Sequence, residues 1–214
     1  MKLLAIFSNS ALLKTGAQNA YGFLAEKRKR LAQYAHLDRE YEQNKFKGPL
    51  LLEQVFDVAA KGMEEPDFLH YCNDYFEINK RENIDDQLKK LQKRFSKIVI
   101  FTAYPSAIYT ELLMKGLVSA VYGAEHELSG FEVSGMKPFV YNDEDAVKEV
   151  FTPLEGLHNF THEPNRYGML AKLIDIMKEN GLKVQDVVIV GEGVTAHPSY
   201  PLSGKQVARL EDLR

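Results

Sequence analysis

The sequence predicts an α/β fold: a doubly wound parallel sheet with a helical cap inserted after its first strand and a small β-hairpin. Three observations predict it. Four short apolar runs, at 3–7, 98–101, 118–122 and 187–190, are too short for helices and are bounded by polar residues or glycine, the pattern of strands buried on both faces. Helical patterns lie between most of them, and strands alternating with helices build a parallel sheet. The first connection is the exception, because residues 14–97 are far too many for a single crossover. The chain therefore divides into a core, residues 1–13 and 97–214, and a helical cap, residues 14–96.

Each element has its own signal. The cap reads as helices over 17–43, 50–61, 65–76 and 84–95, punctuated by Gly48-Pro49, Gly62 and Pro66. A helix over 106–115 follows the second run. Residues 122–141 carry Gly123, Gly130 and Gly135 among alternating apolar residues, which predicts a hairpin. Residues 167–180 place Met169, Leu170, Leu173, Ile174 and Met177 at helical spacing, end at Gly181 and feed the fourth strand. The segment LSGKQVARLEDLR is left open as a last layer of the core.

Composition bounds the function. With 45% hydrophobic and 27% charged residues the chain is of ordinary globular make-up, which excludes a collagen, a coiled coil and a disordered tail. A formal charge of −3 builds in no general attraction to nucleic acid or to an anionic membrane. One cysteine, Cys72, makes no internal disulfide and no cysteine-based zinc site, which places the expected home in the reducing cytoplasm. Ser8, Asn9 and Ser10 interrupt the N-terminal apolar run, so no secretory leader is expected, and no run approaches a membrane span.

The motifs come in a telling order. The first strand runs into Ser8-Asn9-Ser10-Ala11-Leu12, the second ends at Thr102, Arg166 opens the helix before the fourth strand, and that strand runs into Gly191-Glu192-Gly193 with Ala196 beyond. This arrangement, from Leu3 to about Pro198, resembles the haloacid dehalogenase-like (HAD) superfamily, with its Rossmann-like core, and within it the phosphoserine phosphatase-like members. The hairpin SAVYGAEHELSGFEVSGMKP is similar to the strand pair those proteins carry. In the superfamily the first motif is Asp-x-Asp-x-Thr, so both carboxylates are replaced here, by Ser8 and Ser10. The second motif is kept as Thr102. The third, a lysine, falls on Arg166, with Lys172 a poorer substitute deeper in the helix. The fourth, Gly-Asp-Gly-x-x-Asp, becomes Gly-Glu-Gly with Ala196 at the last acid.

The resemblance implies what those positions do. The first carboxylate attacks phosphorus, the second shuttles the proton, and magnesium is held by the first acid and those of the fourth motif. Serine replaces neither role at neutral pH without a neighbouring base, and Glu192 alone is a weak metal ligand. Loss of a covalent nucleophile costs about 10⁶ in turnover, roughly 8 kcal/mol. What survives, Thr102 and Arg166, is the pair that holds a phosphate. The expectation is a catalytically impaired phosphatase homologue, a pseudoenzyme with a binding or regulatory role toward a small phosphorylated or anionic ligand. No cofactor is expected, and Mg²⁺ only if the protein is active. Two other readings stand beside it: an active phosphomonoester hydrolase using Ser8 or Ser10 with Glu192 as base, and a module that binds a protein partner through the cap surface.

Bland readings absorb the remaining signals. Gly191 to Ala196 fits a dinucleotide turn, but His197-Pro198 and Pro201 follow where a helix should open. Ser203-Gly204-Lys205 lacks the upstream glycine and the following hydroxyl of a phosphate loop. His158 and His162 read as a surface loop, and the basic run from Lys27 to Arg30 as the wet face of a cap helix. Cys72 reads as a packed core thiol. The cap aromatics Tyr21, Phe23, Tyr34, Phe56, Phe68 and Tyr75 read mainly as core, with some facing the strand ends.

Overall fold

The computed structural model describes residues 2–7, 9–14, 16–43, 48–137, 164–191, 205–207 and 209–213, with the backbone alone for 41–43, 48–52 and 164–168. Its centre is β1 (Leu3–Ile6), whose four residues are all buried. β1 pairs in parallel with β2 (Lys97–Pro105) on one side and β5 (Val187–Val190) on the other, with Ile6 opposite both Ile100 and Val190. β3 (Ala120–Ser129) extends the sheet beyond β2 and returns through Gly130 as β4 (Glu132–Lys137), the one antiparallel strand among those described. β6 (Lys205–Val207) adds to β5, giving the order β4-β3-β2-β1-β5-β6. The C-terminal segment thus supplies a sixth strand.

Because side chains alternate across a strand, the central strands bury two apolar faces. Leu3, Ala5, Val99, Phe101, Val187 and Ile189 pack against Met169, Leu170, Leu173, Ile176 and Met177 of the helix Pro164–Glu179. Leu4, Ile6, Ile98 and Ile100 face the other way, into a cluster continuous with the helices between β1 and β2. Those are α1 (Ala20–Lys27), α2 (Leu31–Gln43), α3 (Gly48–Ala59), α4 (Glu65–Asn79) and α5 (Ile84–Gln92). A 3₁₀ turn, Ser106–Tyr109, and α6 (Thr110–Met114) connect β2 to β3, and the helix Pro164–Glu179 is α7. In α4 the buried Phe68, Cys72, Tyr75 and Phe76 recur at helical spacing, with Pro66 in its first turn. α5 buries Ile84, Leu88 and Leu91 and carries Asp85 and Asp86 in its first turn and Lys89 and Lys90 in its last, which suits the helix dipole.

The long helix expected over 17–43 is two helices. Lys29 takes φ +59°, and the amides of Lys29 and Arg30 close back on Glu26 O and Ala25 O at 2.9 and 2.8 Å, ending α1. Lys27, Lys29 and Arg30 of the basic run are exposed as expected, although the helix ends at Lys27, and Arg28 is the exception. Arg28 reaches across to α3, where its guanidinium donates to the carbonyls of Asp57 at 3.1 Å, Val58 at 3.0 Å and Lys61. It adds a donor to carbonyls at and just beyond the end of α3, where Asp57 O also accepts from Lys61 N at 3.3 Å.

The hairpin holds the insert against the sheet. Gly62 N donates to Val133 O at 2.7 Å, Val133 N to Met63 O at 2.8 Å and Glu65 N to Phe131 O at 2.9 Å, so the α3–α4 connection lies along the outer edge of β4. Among the described residues no helix is long and apolar enough to cross a membrane.

Candidate functional site at the strand ends

β2 runs past the four-residue strand expected at 98–101, and its pairing with β3 slips. Phe101 lies opposite Tyr122, but Pro105 lies opposite Ala124, so residues 102–104 bulge out of the ladder. Gly123 makes room for that bulge. A Cβ there would lie 2.7 Å from Thr102 Cγ2, 2.7 Å from Tyr104 O and 3.2 Å from Ser106 N.

The bulge aims Thr102 at the turn that follows β1. Thr102 is 2% exposed. Its hydroxyl donates to Asn9 Oδ1 at 2.8 Å and accepts from Tyr104 N at 3.0 Å. The Tyr109 hydroxyl donates to the same Asn9 Oδ1, also at 2.8 Å. Asn9 opens the 3₁₀ turn Asn9–Ala11, its carbonyl accepting from Leu12 N at 3.0 Å and Leu13 N at 2.8 Å. Both the main chain and the side chain of Asn9 are thereby fixed.

A shell of phenols surrounds this centre from the insert side. Tyr21 OH donates to Ala103 O in the bulge at 2.6 Å, and Tyr75 OH donates to Gln18 O at 2.6 Å. The rings of Tyr21 and Tyr75 both meet Tyr104 edge-on, at 6.0 and 6.1 Å, and Phe76 meets Tyr109 at 5.7 Å. Burial pushes the phenols of Tyr21 and Tyr109 well above their ordinary range. Burial raises Tyr104 as well, against a hydrogen bond from the Ala20 amide that favours its ionised form. These hydroxyls are neutral donors at any physiological pH.

Of the residues the sequence singles out, Ser10 and Thr102 come to this one end of the sheet. Ser10 is exposed on the turn after β1, and its carbonyl accepts from Arg81 Nη1 at 3.5 Å. Arg166 is placed in the first turn of α7, and its side chain lies outside the described set. Ser8, Glu192, Ala196, His158 and His162 lie outside the described residues altogether. Lys172 stands with its Nζ 5.7 Å from the centre of the Tyr122 ring, which stacks on Phe101. Cys72 is fully buried, and burial raises its thiol pKa.

Sequence reasoning missed Asn9, Tyr109 and Gly123. Asn9 had a signal, since it is a polar residue one step past a buried strand whose neighbour ends in Thr102. Among the described residues no group of three or more His, Cys, Asp or Glu side chains stands close enough to hold a metal ion.

No family model matches the chain, and no curated protein sequence matches it. Solved structures do. A phospho-aspartyl intermediate analogue of phosphoserine phosphatase is 13% identical with a TM-score of 0.63, over 97% of this chain and 85% of that one. A probable phosphoserine phosphatase from Vibrio cholerae, in unliganded form, is 10% identical with a TM-score of 0.66, over 95% of this chain and 55% of that one. A HAD family hydrolase from Salmonella enterica serovar Typhi is 12% identical with a TM-score of 0.64, over 94% of this chain and 60% of that one. At such identities the likeness is one of fold.

Proposed function

We propose that this chain, which has the phosphoserine phosphatase-like fold of the HAD superfamily, is a catalytically impaired phosphatase homologue that binds a phosphate-bearing or other anionic small molecule at its strand ends. In this reading residues 14–96 are the cap, residues 1–13 and 97–214 the core, and the cytoplasm the working compartment. The observation that carries it is the neutral centre beside Ser10, where Thr102 and Tyr109 both close on an amide, Asn9, with no carboxylate among these partners.

That donor set suits an anion better than a cation. Magnesium takes hard, usually anionic oxygen ligands, and the described groups here are an amide and hydroxyls. They fit the ion poorly, and no step is derived through it. An anion approaching the same place meets no repelling carboxylate from these residues, and Arg166 would supply the fixed charge with fork geometry. In this reading Ser8 and Ser10 take the sequence positions of the nucleophile and the proton shuttle, and a serine hydroxyl in place of a carboxylate is poorly suited to either role.

Two measurements on one preparation test the reading. Hydrolysis of a generic phosphomonoester should stay at background with and without Mg²⁺, and Ser8→Asp alone should not raise it, because nucleophile, acid and metal act as a unit. Inorganic phosphate in chelator-treated buffer should raise the melting temperature, and Arg166→Ala should remove most of the rise; at 100 times its dissociation constant a ligand stabilises by about 2.7 kcal/mol. Magnesium-dependent turnover of order 1 per second that Ser8→Ala abolishes would overturn the proposal. An identical phosphate response in wild type and Arg166→Ala would move the function to the cap surface.

A further inference from the structure

Resting on the anion-binding reading above, we infer that Asn9 is the residue that meets the anion, through its side-chain Nδ2, and that Thr102 and Tyr109 are positioning residues that hold the amide for it. A threonine hydroxyl carries one proton. Thr102 Oγ1 accepts from Tyr104 N, and its own proton lies on Asn9 Oδ1 at 2.8 Å, so it has none to give a ligand without releasing Asn9. Tyr109 spends its proton on the same oxygen.

That double use fixes the orientation of the amide. Two hydroxyl donors converge on one atom of Asn9, which makes that atom the oxygen and the other the NH₂. The donors are buried, Thr102 at 2% and Tyr109 at 0% exposure, whereas Asn9 is only half-buried. The oxygen therefore faces the two buried hydroxyls, and the amide carries its NH₂ on the side away from them. Among the described residues Asn9 Nδ2 has no partner, so two N–H donors are held ready at the strand ends by groups that are themselves fixed. The Asn9 carbonyl, bonded by Leu12 and Leu13, keeps the turn from swinging away. Preorganised neutral donors of this kind bind an oxyanion without the metal that a carboxylate pair would require. The ligand class is an oxyanion with a tetrahedral or planar oxygen cluster, a phosphate monoester or free phosphate in the first instance.

The experiment is a titration of uniformly ¹⁵N-labelled protein with inorganic phosphate, against chloride at matched ionic strength and with a chelator present. The Asn9 side-chain NH₂ pair is assigned through its own backbone, so the readout does not depend on a variant folding. The pair should shift and saturate with the dissociation constant found by calorimetry. Asn9→Asp keeps an acceptor for both hydroxyls but exchanges the donor for a negative oxygen, and should weaken phosphate binding by about ten- to a hundredfold, the worth of one hydrogen bond to a charged group. Thr102→Val and Tyr109→Phe should each weaken it several-fold, while Thr102→Ser restores it. Saturable phosphate binding that leaves the Asn9 pair unmoved, or that Asn9→Asp retains in full, overturns this assignment and leaves the anion site standing. Failure of phosphate to bind wild type at all overturns both.

Discussion

Replacing Gly123 by alanine probes the bulge that aims Thr102. The added methyl would stand 2.7 Å from Thr102 Cγ2 and from Tyr104 O. The carbon contact falls about 0.8 Å inside the ~3.5 Å short end of optimal carbon–carbon separation, and the contact to the oxygen is likewise closer than real Cβ atoms stand. One of the two is backbone in the bulge, and the third neighbour, Ser106 N at 3.2 Å, opens the next turn. No flexible side-chain end can yield, so the strands must part. Overpacking of this kind costs about 1–3 kcal/mol, from which the stiffer unfolded chain returns about 0.4–1 kcal/mol. A net loss of about 1–2 kcal/mol lowers Tm by roughly 2–8 °C in a chain of this size. Urea unfolding followed by circular dichroism measures it as a lower midpoint with unchanged slope. Serine at position 102 lacks Cγ2, so Gly123→Ala with Thr102→Ser should recover part of the loss, a coupling of about 0.5–1.5 kcal/mol. If Gly123→Ala is as stable as wild type, or if the double variant is simply additive, the packing argument for the bulge is wrong.

Alkaline pH should unfold the protein through its phenols. Burial raises Tyr21 and Tyr109, so the folded chain holds these protons more tightly than the unfolded one; the stability they contribute is complete below about pH 10 and is lost as pH rises toward the folded values, at about 1.4 kcal/mol per unit and phenol. Phenolate absorbance at 295 nm should rise together with loss of circular dichroism, and titration of all 11 tyrosines near pH 10 with the fold intact would contradict this. Cys72, fully buried with its thiol pushed up, should resist a thiol reagent until urea opens the fold, so immediate labelling of the native protein would refute its packing. Arg28→Ala should cost about 1–2 kcal/mol by removing the side-chain donor shared by the carbonyls of Asp57, Val58 and Lys61, with Arg28→Lys recovering only a part; a change below about 0.3 kcal/mol in urea would show that water serves them as well.

The strands that were legible are those whose whole length is apolar. Val187–Val190 is found as read, and β1 differs by one residue, because burial on both faces leaves no alternation to misjudge. β6 was not legible, since Lys205-Gln206-Val207 offers one apolar residue and owes its pairing to the edge that β5 presents. The break between α1 and α2 was hidden because Lys29 adopts a left-handed conformation with neither glycine nor proline to announce it. At the site, Ser10 and Thr102 could be placed from strand order alone. Asn9 and Tyr109 could not, because their meeting depends on a bulge whose only trace in the sequence is Gly123. Propensity reads one segment at a time, whereas this centre joins residues 9, 102 and 109 across two strands and a turn.

The contact between the α3–α4 connection and β4 bears on solubility. An edge strand shows a row of free main-chain donors and acceptors to any other chain, and is where sheets recruit strangers. Here Val133 N and O and Phe131 O are taken by residues of the same molecule. The opposite edge is guarded differently, by brevity: β6 has three residues and begins with a lysine. A lesion that loosened the insert, such as removal of the Arg28 tie to α3, would therefore do more than lower stability. It would uncover a β-strand template, and the first sign at high protein concentration should be association, before any loss of secondary structure.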